Sequence, residues 1–97
     1  MITSYADISA ISGRPKEESH HLIYGYGMRE LADKDGLILP LTTDEHRLIH
    51  SVPTVGQMSK IIGQLAWEKE FYRRLRHDAG IDPSRDAFRK RYGISYL

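Results

Sequence analysis

This chain of 97 residues contains no cysteine. The absence of cysteine excludes disulfide bonds and thiolate zinc sites, which are the usual means of holding a domain this small together. A chain of this length buries only about 60–65% of the surface that its unfolded form exposes, so a second independent core is not available. Any extra stability has to come from a metal or a partner. We therefore expect a single domain over residues 1–97.

Membrane spans and export signals are missing from the sequence. No apolar run approaches the roughly 18–20 residues that cross a bilayer, and the first residues lack a basic start and an apolar segment. The sequence therefore predicts a soluble protein that is not secreted.

Charge is distributed unevenly along the chain, although the net charge is only +1. Residues 1–68 carry 6 Lys+Arg and 9 Asp+Glu, whereas residues 69–97 carry 8 and 4. A basic C-terminal part is compatible with a polyanion-binding surface and equally with a solvated helix face. Charge alone leaves both interpretations open.

Two short apolar runs predict a pair of β-strands. The first covers residues 20–24, and the second covers residues 37–41. Residues 28–36 are charged and end in Asp35-Gly36, a pair that favours a tight reversal, so a loop is expected between the strands. Pro40 restricts the second strand to an edge or an end of a sheet.

Three helices are predicted after the strands. Thr42 and Glu45 have the spacing of a capping box, and Pro53 predicts that this first helix stops at Val52. A second box at Thr54 opens a long amphipathic helix that is expected to end near Gly80. Its apolar residues recur at helical spacing and predict one buried stripe of Met58, Ile61, Ile62, Leu65, Ala66, Tyr72 and Leu75. A short basic helix follows Asp82-Pro83-Ser84 and closes at Gly93.

Four of the five histidines fall between positions 20 and 50. His46 and His50 are four residues apart on the first predicted helix, so both imidazoles face the same ion or surface. His20 and His21 are adjacent on a strand and point to opposite sides, so they cannot share one role. One of them can complete a three-histidine metal site with an open coordination position while the other faces a substrate.

Each histidine pair alone is unspecific, because such pairs are often simply exposed to solvent. The joint arrangement of a strand pair and a helical pair favours metal binding. A zincin protease is disfavoured, since its first helical histidine is followed by glutamate and His46 is followed by Arg47.

Over residues 10–70 the sequence resembles the HNH endonucleases with the ββα-metal fold, in particular small phage and prophage members. The resemblance rests on the order of residues along the chain: His20-His21 comes first, and Pro40-Leu41 then leads to His46 and His50. The further matching segments are Gly13-Arg14-Pro15, Ser19-His20-His21-Leu22-Ile23, Gly25-Tyr26-Gly27-Met28-Arg29, Ala32-Asp33-Lys34-Asp35-Gly36-Leu37 and Gly63-Gln64-Leu65-Ala66-Trp67-Glu68-Lys69. The resemblance implies an α+β fold with a ββα-metal core at about residues 19–52 and a helical extension at about 54–93.

The resemblance also implies roles for the histidines. His21 is expected to be the general base that deprotonates water. His20, His46 and His50 are expected to hold one divalent metal ion, which is Zn²⁺, Ni²⁺, Mg²⁺ or Mn²⁺. Asp35 is the candidate for the family's middle asparagine, although an Asp before Gly in a turn also has an ordinary structural explanation.

Many relatives carry two C-x-x-C pairs for a structural zinc, and the corresponding positions here are Ser9 with Ser12 and Thr42 with Glu45. We therefore expect the apolar core to hold the fold, with Trp67, Phe71 and Tyr72 as packing residues.

The expected partner is double-stranded DNA, in the cytoplasm of a bacterial host if the chain is phage encoded. The candidate DNA contacts are basic residues near the histidines and in the last helix: Arg29, Arg47, Arg85, Arg89, Lys90 and Arg91. A non-catalytic nucleic-acid-binding or accessory module with the same fold is the alternative function, and a purely structural metal site is a third possibility.

Overall fold

The computed structural model describes residue 3, residues 5–75 and residues 82–97. These residues form an α+β fold, with a two-stranded antiparallel ribbon and four helices in the described part of the chain. In chain order the elements are β1 (Glu18–His21), α1 (Met28–Lys34), β2 (Ile38–Leu41), α2 (Thr43–Ser51), α3 (Pro53–Leu75) and α4 (Ser84–Tyr92). Among the described helices, none combines the length and the apolar character that a membrane crossing requires.

The ribbon pairs β1 with β2 and sets His20 opposite Leu39. Pro40 lies opposite Ser19 and is tolerated because both strands of a two-stranded ribbon are edges. The predicted strand at residues 20–24 is displaced, since β1 covers Glu18–His21. Leu22 and Ile23 are both fully buried, and consecutive residues of a regular strand point to opposite faces. The chain therefore leaves the ribbon after His21 so that both side chains enter the core.

The loop predicted between the strands contains a helix. Residues Met28–Lys34 form α1, which buries Ala32 and packs Met28 and Leu31 against the core. The Asp35-Gly36 reversal is present at its C-terminal end, where Gly36 has a positive φ of 72°. At 7 residues the helix is too short for its apolar spacing to stand out among charged neighbours.

Helix α2 begins and ends where its sequence signals predict. The Thr42 side chain accepts a hydrogen bond from the Glu45 N–H, and the Glu45 carboxylate accepts one from the Thr42 N–H, so the capping box is complete. Val52 is the C-terminal cap, directly before Pro53. Both of these predictions are confirmed.

Helix α3 starts at Pro53 rather than at Thr54, because proline fits the first position of a helix. Its predicted end near Gly80 lies outside the described residues. The predicted buried stripe is wrong at four of its seven positions: Met58 is 59% exposed and Tyr72 is 43% exposed, and Ile62 and Leu65 are also exposed. Ala66 packs against the core and Ile61 is half-buried, while the side chain of Leu75 lies outside the described part of the chain.

The buried face of α3 is instead small and polar. Its buried residues are Gly56, Ser59, Gly63, Gln64 and Glu68. A Cβ on Gly63 would lie 2.9 Å from the Ile23 Cγ1 and 3.0 Å from the Leu22 Cβ, so the helix backbone approaches the core too closely for larger side chains. Several apolar side chains of α3 are consequently left exposed, namely Met58, Ile62, Leu65 and Tyr72, whereas Trp67 reaches the core.

The core is formed by side chains from several elements: Leu22, Ile23, Ala32, Leu37, Phe88 and Tyr92. Trp67 packs against this cluster from α3, as predicted, with its ring centroid 5.6 Å from that of Phe88. Helix α4 begins and ends where the sequence predicts: it starts after Asp82-Pro83, with the Asp82 carboxylate accepting a hydrogen bond from the Ser84 N–H, and it closes at Gly93, which has a φ of 80°.

Ser9, Ser12, Thr42 and Glu45 converge in a hydrogen-bonded cluster. The Ser9 hydroxyl donates to the Glu45 carboxylate and accepts from the Ser12 N–H at 3.2 Å. Partial burial raises the pKa of Glu45, but hydrogen bonds from Ser9, Thr42 and Ser12 outweigh it and lower the pKa to about 2. A carboxylate network thus joins the N-terminal segment to α2 without a thiolate.

Replacing Gly63 by alanine should destabilise the protein, although alanine favours helix formation by about 1 kcal/mol. The added methyl group would overlap Ile23 and Leu22, and such overpacking typically costs about 1–3 kcal/mol. We expect a lower midpoint in thermal or urea unfolding. Gln57→Ala, at an exposed position of the same helix, is the matched control, and an equal or higher midpoint for Gly63→Ala would contradict the close approach.

Candidate metal centre

Three histidine rings meet between β1 and α2. His20 lies on β1 and is buried, while His46 and His50 lie one turn apart on α2. The ring centroid of His20 is 5.1 Å from that of His46 and 5.5 Å from that of His50. Each residue offers a nitrogen, and the three nitrogens lie within 4.8 Å of one another. The predicted convergence of these histidines is therefore confirmed at the level of a group able to hold a metal ion.

Hydrogen bonds fix the tautomer of His20. The Ser59 hydroxyl donates to the Leu22 carbonyl oxygen at 2.8 Å, so its oxygen is left to accept from the His20 Nε2–H at 2.8 Å. The proton of the neutral ring is then on Nε2, and the lone pair is on Nδ1. That Nδ1 is buried and has no hydrogen-bond partner. Because buried nitrogens are nearly always paired, an unpaired one beside two other imidazoles points to a missing ligand.

The Nε2 atoms of His46 and His50 face each other. The His46 Nδ1 lies 3.0 Å from the Glu18 carboxylate and donates to it, which leaves Nε2 as the free nitrogen. The His50 Nε2 lies 3.2 Å from the His46 Nε2. Two nitrogens facing each other can share one proton, or both can bind a cation. A carboxylate behind a ligating imidazole orients the ring and increases its basicity.

Electrostatics keep at least two of the rings uncharged at neutral pH. Burial and the charges of the neighbouring histidines lower the pKa of His20 to about 4. Burial, followed by the charges of His46 and Arg29, lowers the pKa of His50. Neutral imidazole is the form that binds a metal, so these shifts prepare the cluster for a cation.

His21 opens into the cavity in front of the cluster. This cavity has a volume of about 290 Å³ and is lined by His20, His21, Tyr24, Gly25, Arg29, His46 and His50. The His21 Nε2 lies 3.4 Å from the Asp33 carboxylate. A second opening, of about 260 Å³, reaches His46 and His50 from the side of Glu18 and Arg47. The cluster is therefore accessible from two directions, and His21 borders one of them.

Asp35 does not line either opening. Both oxygens of its carboxylate are engaged by the Arg91 guanidinium, at 2.6 and 2.7 Å, and the Tyr92 hydroxyl donates to it at 2.6 Å. These contacts tie α1 to α4 and give Asp35 the role of a turn residue in the fold. The carboxylate in contact with His21 belongs to Asp33, two residues earlier.

The six basic residues proposed for DNA contact fall into two groups. Arg29 and Arg47 line the two openings of the histidine cluster. Those on α4 are away from both openings, and three of them form ion pairs within the protein: Arg85 with Glu68, Arg89 with Asp86 and Arg91 with Asp35. Lys90 is exposed. The arginines at the openings are thus the cations placed beside the cluster.

Three residues of the site were missed in the sequence. Glu18 precedes His20 by two positions on the same strand, so alternation could have revealed it. Tyr24 packs its ring 4.6 Å from that of His50, and burial raises the pKa of its hydroxyl. Ser59 lies 39 residues after His20, and no local pattern marks it.

Comparisons with protein-family models, curated proteins and solved structures found no match to this chain. The assignment of a function therefore rests on the residues and on their geometry.

The protein should bind one Zn²⁺ per chain in isothermal titration. Alanine in place of His20, His46 or His50 removes one imidazole and should abolish tight binding. Ser59→Ala should weaken binding about 10–100-fold, because loss of a partner behind a ligand frees its tautomer and orientation. His21→Ala is the matched control and should bind as the wild type does. Equal affinity for His20→Ala and the wild type would exclude the buried Nδ1 as a ligand.

In the presence of a chelator, the protein should lose stability as the pH falls from 6.5 towards 4. The pKa of His20 is 6.5 in the unfolded chain and about 4 in the folded one, so the unfolded state takes up the proton first. Each unit of difference is worth about 1.4 kcal/mol, which makes the loss a few kcal/mol at most. Urea unfolding at several pH values measures it. The slope should flatten in this interval for His20→Gln and persist for His21→Gln, and an unchanged slope in His20→Gln would contradict the assignment.

Proposed function

We propose that this protein is a metal-dependent endonuclease of the HNH type that hydrolyses phosphodiester bonds in DNA. The observation that carries the proposal is the buried, unpaired Nδ1 of His20, on a ring that lies beside the rings of His46 and His50 and forms with them a group able to hold a metal ion. In a histidine cluster that only stabilised the fold, this buried nitrogen would be expected to accept a hydrogen bond. His21, on the adjacent cavity, adds a fourth imidazole that the cluster does not use.

The donor set fits a divalent cation. His20 is fixed by Ser59, and His46 is oriented by Glu18, so two of the three rings are held in place before a metal binds. Three imidazoles leave an open position, and they favour Zn²⁺ or Ni²⁺ over Mg²⁺. Bound there, the cation would supply positive charge to the scissile phosphate and to the departing 3′ oxygen.

His21 is proposed to act as the general base. Its contact with Asp33 involves Nε2, so the proton of the neutral ring is placed on Nε2 and Nδ1 is left to accept a proton from water. As the water oxygen bonds to phosphorus, its proton passes to His21 and the bond to the 3′ oxygen breaks. The Asp33 carboxylate would stabilise the imidazolium formed in this step.

Arg29 and Arg47 are proposed to hold the DNA backbone at the two openings. A guanidinium presents two parallel N–H groups to a phosphate, which fixes its orientation as well as its position. Arg29 lies in the same cavity as His21 and is therefore the candidate for the scissile phosphate or its immediate neighbour.

Purified protein loaded with metal should nick supercoiled plasmid DNA, and a chelator should stop the reaction. His21→Ala should lower the rate about 10²–10⁴-fold while leaving Zn²⁺ binding intact, because a general base contributes a factor of that order. Asp33→Asn should reduce the rate more than Asp35→Asn, which is the matched control for a carboxylate that does not contact His21. Gel electrophoresis of the plasmid forms measures each rate.

Three results would contradict the proposal in different ways. If metal-loaded wild type and His21→Ala both leave every DNA form uncut, the protein is not a nuclease. Salt-sensitive DNA binding without cleavage would select the non-catalytic module. Unfolding on addition of the chelator would indicate a structural metal site.

A further inference from the structure

A cavity larger than either opening of the histidine cluster lies away from the histidines. It has a volume of about 690 Å³ and runs between the C-terminal end of α1 and the C-terminal half of α3. Trp67 and Phe71 line it and are called its aromatic floor below; their rings stack with centroids 5.1 Å apart and an angle of 16° between their planes. None of the residues proposed above for catalysis or metal binding lines it, apart from Asp35.

The rim of this groove carries an excess of positive charge. Four basic residues line it: Lys34, Lys69, Arg73 and Arg74. The two carboxylates in the groove are already compensated, since Asp35 pairs with Arg91, and Glu70 is shared by two arginines at 2.6 and 2.9 Å. Within the described part of the chain, Lys34 and Lys69 form no ion pair. Both are exposed and lie on opposite elements, so the groove presents cations from both walls.

An aromatic floor between cationic walls fits one class of ligand. Proteins bind single-stranded nucleic acid by combining a positive groove for the backbone with aromatic side chains for the bases. A purely apolar ligand would leave the lysines unused, and a simple anion would leave the aromatic floor unused.

The groove and the histidine cavity share helix α1, because Arg29 lines the histidine cavity and Lys34 lines the groove. The two residues are five positions apart, which is about 7.5 Å along the helix axis. The two sites are therefore neighbours on different sides of the same helix.

We infer that the groove between α1 and α3 is a binding site for a single nucleic-acid strand, with Lys34 and Lys69 on its phosphates and Trp67 and Phe71 in contact with its bases. The identity of the polymer rests on the proposed function. The site itself acts without metal and without cleavage. It predicts that DNA with an unpaired strand next to the cleavage position is preferred over fully paired DNA.

Trp67 is the only tryptophan of the chain, so its fluorescence reports on this groove. The protein, in a chelator to prevent cleavage, is titrated with a short single-stranded oligonucleotide, with an abasic strand of equal length and with a duplex. The single strand should quench Trp67 and bind more tightly than the other two. Lys34→Glu/Lys69→Glu should weaken its binding at least tenfold and reduce the slope of log K against log salt by about 1.4, the value for two phosphate contacts.

The control is Arg14→Glu/Lys16→Glu, which makes the same charge change at exposed positions outside the groove. It should weaken binding much less than the groove variant does. The inference is overturned if Trp67 emission does not respond, if the two double variants bind equally, or if the abasic strand or the duplex binds as well as the single strand. These outcomes are independent of plasmid nicking, so a failure here leaves the proposed nuclease standing, and failure of nicking leaves the groove to be judged by binding.

Discussion

The hydrogen bond between the Ser59 hydroxyl and the His20 ring is the interaction on which the site and the packing both depend. Ser59 reaches β1 from α3 and bonds at the same time to the Leu22 carbonyl oxygen, so it satisfies two buried polar groups and fixes the His20 tautomer. For a side chain as short as serine to do this, α3 has to lie very close to the end of β1. The close approach in turn requires Gly63, and the apolar side chains of Met58, Ile62 and Leu65 on the same helix are left exposed. The close packing of α3 at Gly63 is therefore coupled to the hydrogen bond between Ser59 and His20.

In small domains a bound metal often stabilises the fold and also takes part in the chemistry. In this chain, which has no cysteine, contacts away from the histidine cluster stabilise the fold. Ser9, Thr42 and Glu45 join the N-terminal segment to α2 through hydrogen bonds, and the aromatic core joins α3 to α4. These contacts do not involve the side chains of His20, His46 or His50. The histidine cluster is thus free to leave a nitrogen unpaired, a state that destabilises the free protein and favours binding of a cation.

Sequence reasoning succeeded where the determining interactions are local. The capping box at Thr42 and Glu45, the stop before Pro53 and the shared face of His46 and His50 all depend on residues at most a few positions apart. It failed where distant packing decides. The buried face of α3 contradicts its apolar periodicity, because the space beside the helix is already filled by Leu22 and Ile23. The same limit applies to the carboxylates, since nothing local distinguishes Asp33, beside His21, from Asp35, whose partners lie 56 and 57 residues away. The family resemblance and the nuclease function stay predictions.

The charges around the two cavities suggest a division between chemistry and affinity. At the described openings of the histidine cluster, Glu18 is the carboxylate and Arg29 and Arg47 are the cations, so a divalent ion there would meet an excess of positive charge. The negative charge of a phosphodiester of the proposed substrate, bound at these openings, would offset this repulsion. Metal and DNA should therefore each increase the affinity for the other, and by linkage the two increases are equal. In the groove between α1 and α3 the positive charge does not face a candidate metal site. Its attraction for a polyanion acts over a Debye length of about 10 Å at 0.1 M salt. Salt should accordingly weaken the inferred binding of a strand at the groove more than it affects the proposed reaction at the histidines.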